Sequence, residues 1–189
     1  MGYFNKTLIL LSEVQKPRKF LVDFHKILDS INLLPEIDEH EIIVFNDCRN
    51  GAEKEPIDLK SDMQLTQVID LICSWKGLGL ICYRHENFKF PIGINYITWD
   101  DQYVQGLTIS VYGNDLITEQ NQLDLNNLIN NIINLIDYSF AVGDIGNLSK
   151  TYINLDQKIE EIIKYIELNN FEIDKRKRTI GSNKKQSTK

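Results

Sequence analysis

Cysteine and histidine are the first candidates for chemistry, because they ligate metals and act as nucleophiles and bases. The chain has three of each: Cys48, Cys73, Cys82, His25, His40 and His85. Cys82 and His85 have the C-x-x-H spacing of half a zinc site, but on a strand these two positions point to opposite faces. No second pair completes a tetrahedron. The sequence therefore predicts neither a metal site nor a cofactor.

A cysteine–histidine pair is the other way in which these residues could do chemistry. Cys73 or Cys82 could pair with His25 or His85, but neither cysteine lies in a local signature of a nucleophile. The chain also lacks the G-x-S-x-G and G-x-G-x-x-G motifs. Gly77-Leu-Gly79 precedes a predicted strand, which is the wrong order for phosphate binding at a helix N-terminus. No catalytic residue is predicted.

Two groups of carboxylates could bind Mg²⁺ or serve as acid and base. Asp100 and Asp101 form one group, and Glu36, Asp38, Glu39 and Glu41 form the other. The first pair lies at a predicted hairpin turn, where aspartate is favoured for local hydrogen bonds. The second group has no ordered spacing. Both patterns favour a solvated surface over a catalytic site.

The clearest pattern is in residues 79–116, which are predicted to form three consecutive strands. Period-two alternation in residues 88–96 and 107–111 places one apolar face against helices. The second face then carries Asn95, Ile97, Trp99, Thr108, Ser110 and Tyr112. Tryptophan and tyrosine dominate binding hot spots, so this mixture is typical of a recognition face.

We predict a partner-binding site on this second face, and its rim is acidic. Asp100 and Asp101 would attract a basic partner. The predicted site consists of Asn95, Trp99, Asp100, Asp101, Tyr103 and Tyr112. The alternative is that another helix or the C-terminal segment covers this face.

The elements that would position these residues follow from hydrophobic periodicity. They are strand 3–11, helix 17–34, strand 41–45, loop 46–60, helix 65–75, the three-strand meander of 79–116, helix 124–140 and helix 155–168. His25 is expected on the polar side of the first helix. The sequence thus predicts an α+β fold: strand–helix–strand–helix, a three-stranded antiparallel meander and two helices, with one mixed sheet and the helices on one face.

Charge divides the chain into two parts. Residues 174–189 hold seven basic residues and one acidic residue, a net charge of +6, and we call this segment the basic tail. Residues 1–173 hold 14 basic and 26 acidic residues, a net charge of −12. We predict one domain over residues 1–173 and a disordered tail. The acidic body favours a basic protein partner over nucleic acid, although simple solubility would also explain its charge.

The compartment is inferred from the cysteines and from the N-terminal segment. An odd number of cysteines without framework spacing indicates a reducing compartment. The apolar run Leu8–Leu11 is too short for a signal-peptide core or a membrane span. A cytoplasmic protein without membrane attachment is predicted.

The order of the elements resembles that of immunity proteins of bacterial polymorphic toxin systems. The resemblance rests on the meander ending Leu107-Thr-Ile-Ser-Val-Tyr-Gly113 and on a helix that leads into Asp137-Tyr-Ser-Phe140. The basic tail is not part of that pattern, and no functional residue is carried over. The resemblance implies a protein that binds and neutralises a cognate toxin in the bacterial cytosol.

The leading prediction is a non-enzymatic, immunity-type inhibitor that occludes the active site of a basic protein partner. Affinity would come from desolvated Trp99 and Tyr112, and a fast association rate from the acidic field. Two alternatives stay open. One is an enzyme with a pocket between the sheet and the loop 46–60, and the other is a nucleic-acid accessory protein that acts through the basic tail.

Overall fold

The structure is a computed structural model that describes residues 4–38, 40–88, 90–116, 118–144 and 153–177. Within these residues, four helices pack on one open antiparallel sheet of nine strands. The α+β class predicted from the sequence is confirmed. None of the described helices is long and apolar enough to cross a membrane.

The elements have the following bounds. The strands are β1 (Phe4–Gln15), β2 (Leu33–Pro35), β3 (Ile42–Phe45), β4 (Ile57–Asp58), β5 (Gly79–His85), β6 (Ile92–Ile97), β7 (Val104–Tyr112), β8 (Tyr138–Gly143) and β9 (Ile173–Arg176). The helices are α1 (Pro17–Ser30), α2 (Leu65–Cys73), α3 (Glu119–Leu135) and α4 (Ile159–Leu168). A 3-10 turn (Gly113–Leu116) links β7 to α3.

The sheet has the strand order β4-β3-β5-β6-β7-β1-β8-β9, and β2 pairs with the other end of β5. Every pairing between described strands is antiparallel. The predicted mixed sheet is therefore wrong. Strand β1 pairs antiparallel with two strands from the second half of the chain, β7 and β8, and so has no parallel neighbour.

Helices cover both faces of the sheet, so the prediction of helices on one face is wrong. Ile9 of β1 packs in the cluster that contains α1, α2 and α3, and we call this side the first face. Leu8 and Leu10 point the other way, onto Ile162 and Ile166 of α4, and we call this side the second face. The apolar run of β1 explains the cover on both faces, because consecutive apolar residues suit a strand that is buried on both sides.

His25 lies in the core rather than on the polar side of α1. Its Nδ1 donates to the Leu21 carbonyl at 2.6 Å, and its Nε2 accepts from the Tyr83 hydroxyl at 2.8 Å. The Tyr96 hydroxyl lies 2.6 Å from that of Tyr83. Burial lowers the pKa of His25. The neutral imidazole satisfies its hydrogen bonds inside the apolar layer, which is why a polar residue can occupy this position.

The C-terminal boundaries also differ from the prediction. Helix α3 ends at Leu135, and residues 138–143 form β8 beside β1. Strand β9 pairs with β8 in the register Val142↔Asp174, so residues 174–176 belong to the sheet and not to a disordered tail. The β-branched Ile173, buried on the first face, anchors this short edge strand. Residues 178–189 of the basic tail lie outside the described residues.

Candidate functional site

Helix α4 covers only part of the second face, and a single row of paired residues shows where the cover ends. The row runs Leu8, Thr108, Asn95, Leu80 and Val44 across β1, β7, β6, β5 and β3. Leu8 is 2% exposed beneath α4, Asn95 and Leu80 are half-buried, and Val44 is 39% exposed. The second face therefore opens progressively toward β3.

We call the exposed region the open face. It consists of Leu34 on β2, Ile42 and Val44 on β3, and Leu80, Cys82 and Arg84 on β5. Leu34 is 51% exposed and Ile42 is 40% exposed. Large apolar side chains that share one sheet face with charged neighbours mark interaction surfaces more often than scattered surface leucines do.

Two glutamates border the open face. The backbone N–H of Glu36 donates to the Cys82 carbonyl at 2.9 Å, which holds the segment after β2 against β5. The Glu36 side chain is only 7% exposed, and its Oε1 forms an ion pair with Nε of Arg84. Its second oxygen, Oε2, is buried and accepts no hydrogen bond from the described residues. An unsatisfied buried carboxylate oxygen is costly and marks a site that lacks a donor.

Two carboxylate groups, those of Glu36 and Glu41, act on Cys82. Burial raises the pKa of Glu41, and the charges of Glu36 and Asp38 raise it further, whereas the nearby Cys82 thiol and Arg84 lower it. Burial and then the Glu41 charge raise the pKa of Cys82 to about 11. A thiol that stays protonated at neutral pH is a poor nucleophile, so the site favours binding a cation over cysteine chemistry.

Of the six residues predicted for partner binding, Asn95 lies next to the open face. It is half-buried between Leu80 and Thr108 in the row described above. Its Oδ1 is buried without a hydrogen-bond partner among the described residues. Asn95 thus adds a second unsatisfied acceptor on the second face.

Trp99 is engaged in contacts within the molecule. Its Nε1 donates to the Leu155 carbonyl at 3.2 Å, and its ring packs with the α4 cluster. The Arg49 guanidinium lies 5.9 Å from the ring centroid. These contacts attach the segment before α4 to the sheet, so Trp99 serves the fold.

Asp100 and Asp101 shape the turn between β6 and β7. Oδ1 of Asp100 accepts from the backbone N–H groups of Gln102 and Tyr103, each at 2.9 Å. The Asp101 carboxylate accepts from the backbone N–H of Arg49 at 3.1 Å, which holds the loop 46–60. Asp100 therefore makes the local hydrogen bonds that turns favour, whereas Asp101 links the turn to a distant loop.

Tyr103 and Tyr112 lie at opposite ends of β7. Tyr103 is half-buried in the turn, and Tyr112 is half-buried at the end of β7. Tyr112 is four residues, or about 14 Å, beyond Thr108 along the strand. The six predicted residues are therefore spread along the sheet and do not form one compact patch.

Sequence reasoning missed the exposed residues of the open face. The apolar residues of the predicted strand 41–45 favour a short buried strand, yet only Ile43 and Phe45 are buried. A continuous apolar run gives no sign of which alternate residues lack a cover. The acidic neighbours Glu36, Asp38 and Glu41 were the available signal. Glu39, the fourth acid of that group, lies outside the described residues.

A groove of about 220 Å³ lies on the first face, between α1, the end of β1 and the end of α3. Its wall is mostly apolar, with Lys19, Asp23 and Asp137 as charged members and no cysteine or histidine. The pocket of the predicted enzyme alternative would instead lie beside the loop 46–60. Arg49 of that loop donates to the carbonyls of Thr98 and Leu155, so the loop packs on the sheet there.

Neither a search for metal-binding groups nor a comparison with known proteins assigns a function to the site. The described residues contain no group of three cysteine, histidine or acidic side chains that could hold a metal ion. Comparison of the chain with protein-family models, curated proteins and solved structures gives no match. The resemblance to immunity proteins therefore stays a prediction from the sequence.

Proposed function

We propose that the protein is a non-enzymatic binding protein, an immunity-type inhibitor that occludes a basic protein partner in the cytosol. The open face is its contact surface. One observation carries the proposal: Leu34, Ile42 and Val44 are exposed together on one sheet face beside a negative site. A stable interface needs an apolar centre and a charged rim, and this surface offers both.

The open face replaces Trp99 and Tyr112 as the expected source of affinity. The sheet fixes the backbone of these residues, so binding does not have to order it. The net charge of −6 would speed the approach of a basic partner. Occlusion needs only that this surface cover the partner's active site.

The test is affinity capture followed by reconstitution with the purified captured protein. Val44→Asp should weaken binding at least about tenfold, because it places an uncompensated charge in the apolar centre of the interface. The matched control is Leu123→Asp, which makes the same change at an exposed leucine of α3. The control should bind like the wild type, and a stoichiometric amount of the wild type should abolish the partner's activity.

Two results would refute the proposal. One is a captured partner that binds Val44→Asp and Leu123→Asp equally well. The other is a complex in which the partner keeps its full activity, because occlusion would then not occur. Circular dichroism of both variants separates a loss of binding from a loss of folding.

A further inference from the structure

We infer that Glu36 and Glu41 form a receptor site for an arginine side chain of the partner. The site rests on the proposed function and names the chemistry that the partner must bring. The aliphatic stem of the partner's arginine would lie on Leu34, Ile42 and Val44, and the guanidinium would bind the Glu36 carboxylate. The proposed function makes the open face the contact surface, and the arginine site adds which partner side chain this surface binds.

The Glu36 carboxylate already shows half of such a contact. Arg84 reaches Oε1 through its Nε, and Oε2 is buried without a donor. The Arg84 side chain is 70% exposed, so its ion pair is readily exchanged for a better one. Arg84 would have to swing away to uncover Oε2, and an incoming guanidinium would then donate two parallel hydrogen bonds to the carboxylate, whereas Arg84 contacts Oε1 alone.

The neighbours of Glu36 also favour a cation. The carboxylates of Glu41 and Asp38 lie close enough to Glu36 to make the ionised form of Glu41 less favourable. A positive charge placed among them removes this repulsion. Burial and the Glu41 charge raise the pKa of the Cys82 thiol to about 11, which disfavours the thiolate that a metal ion would need.

The surrounding apolar surface selects a long side chain over a small ion. Leu34 lies opposite Arg84 in the β2–β5 register, and Val44 lies opposite Leu80. Apolar side chains beside a carboxylate suit the methylene stem and charged head of arginine. The planar fork of arginine fits a carboxylate better than the single ammonium of lysine does.

The experiment uses the full chain and an acetylated, amidated Gly-Gly-Arg-Gly-Gly peptide, with citrulline replacing arginine in the control peptide. Backbone amide NMR shifts are followed as each peptide is added. We expect the arginine peptide to shift the amides of Glu36, Glu41 and Cys82 in a saturable manner. Neutral citrulline has the same length and should not, because it lacks the charge.

Three variants make the assignment specific. Glu36→Gln keeps the side-chain size and should weaken the peptide at least about tenfold, whereas the exposed Glu13→Gln on β1 makes the same charge change elsewhere and should not. Arg84→Ala removes the internal competitor and should tighten binding about threefold. If Glu36→Gln does not fold, Arg84→Ala still decides between the two outcomes.

The inference is overturned if arginine and citrulline peptides act alike, if the shifts lie elsewhere, or if Arg84→Ala leaves binding unchanged. That failure is distinct from a failure of the proposed function. A partner that is lost with Val44→Asp but retained with Glu36→Gln would keep the open face as the interface and reject the arginine site.

Discussion

His25 is a buried base whose charge is incompatible with its surroundings. Its Nε2 accepts a hydrogen bond from Tyr83, and its Nδ1 already donates to the Leu21 carbonyl. Protonation of Nε2 would require the Tyr83 hydroxyl to turn from donor to acceptor, and it would place a charge in the apolar layer. Burial accordingly lowers the pKa of His25 in the folded state.

This arrangement predicts a pH dependence of stability with a definite sign. The unfolded chain, with a histidine pKa of 6.5, binds the proton more tightly than the folded one. The free energy of unfolding should be highest above pH 6.5 and fall as the pH drops below it, by up to about 1.4 kcal/mol per pH unit from this group. Urea denaturation of the wild type and of His25→Gln between pH 5 and 7.5 measures the difference.

The control for this prediction is His40→Gln, which alters an exposed histidine in the turn before β3. Its slope of unfolding free energy against pH should match that of the wild type. Carboxylates contribute to the slope in every variant, so the difference between variants carries the information. Equal slopes in the wild type and His25→Gln would contradict the assignment.

At the scale of elements, helix α4 determines how much of the sheet is open. Ile162 and Ile166 are fully buried against Leu8, Leu10 and Val142. The segment that leads into α4 is attached to the sheet through the Trp99–Leu155 hydrogen bond. The boundary between the covered and open parts of the second face is therefore set by one short helix and its attachment.

Truncation of the α4 contact should be costly. Ile162→Ala removes fully buried methyl groups and should lower the free energy of unfolding by about 2–5 kcal/mol. Leu168→Ala on the same helix is the control, since Leu168 is exposed and its loss should change stability by less than about 0.5 kcal/mol. Chemical denaturation measures both, and comparable losses would show that α4 is not docked in this way.

The same elements show how far the sequence alone can lead. Alternation predicts the strands around Ile94 and Ile109, and both are present. The apolar run at Leu8 suits a strand buried on both sides, and its residues pack on both faces of the sheet. The run at Ile42 looks the same but is open on one side. The difference arises from α4, more than a hundred residues later, and strand patterns contain no information on such distant partners.

The candidate site was harder to predict than the sheet. Trp99 was chosen because exposed aromatics bind partners, yet its indole binds Leu155 of its own chain. Glu36 was read as solvated, but a short strand before it places its carboxylate under Arg84. Residue type suggests what chemistry a surface can do, but tertiary pairing decides which side chains remain exposed to do it.

At the scale of the whole molecule, charge separates the body from its C-terminus. Arg176 pairs with Asp174 at 2.6 Å, and the Lys177 ammonium lies 4.4 Å over the Tyr138 ring. The first basic residues of the tail therefore have partners in the sheet. Residues 178–189 add four further basic residues and no acid.

Deletion of residues 178–189 changes the formal net charge from −6 to −10. If the protein binds a basic partner, the association rate should rise about two- to tenfold at low salt, because the more negative field attracts the partner more strongly. Stopped-flow measurement with the captured partner tests this, and the difference should vanish at high salt. A lower association rate, or nucleic-acid binding that the deletion abolishes, would instead favour the accessory role of the tail.

The position of β1 has a consequence for folding during synthesis of the chain. The first strand of the chain lies between β7 and β8, whose residues are synthesised about a hundred positions later. At about 5–20 residues per second, a ribosome needs roughly 5–20 s to make them. During that time, the apolar segment around Leu8–Leu11 has neither sheet neighbour, so a newly made chain must keep it from self-association. We expect the pairing of β1 with β7 and β8 to begin only after residues 104–143 have been synthesised, and the edge strand β9 to join the sheet after that.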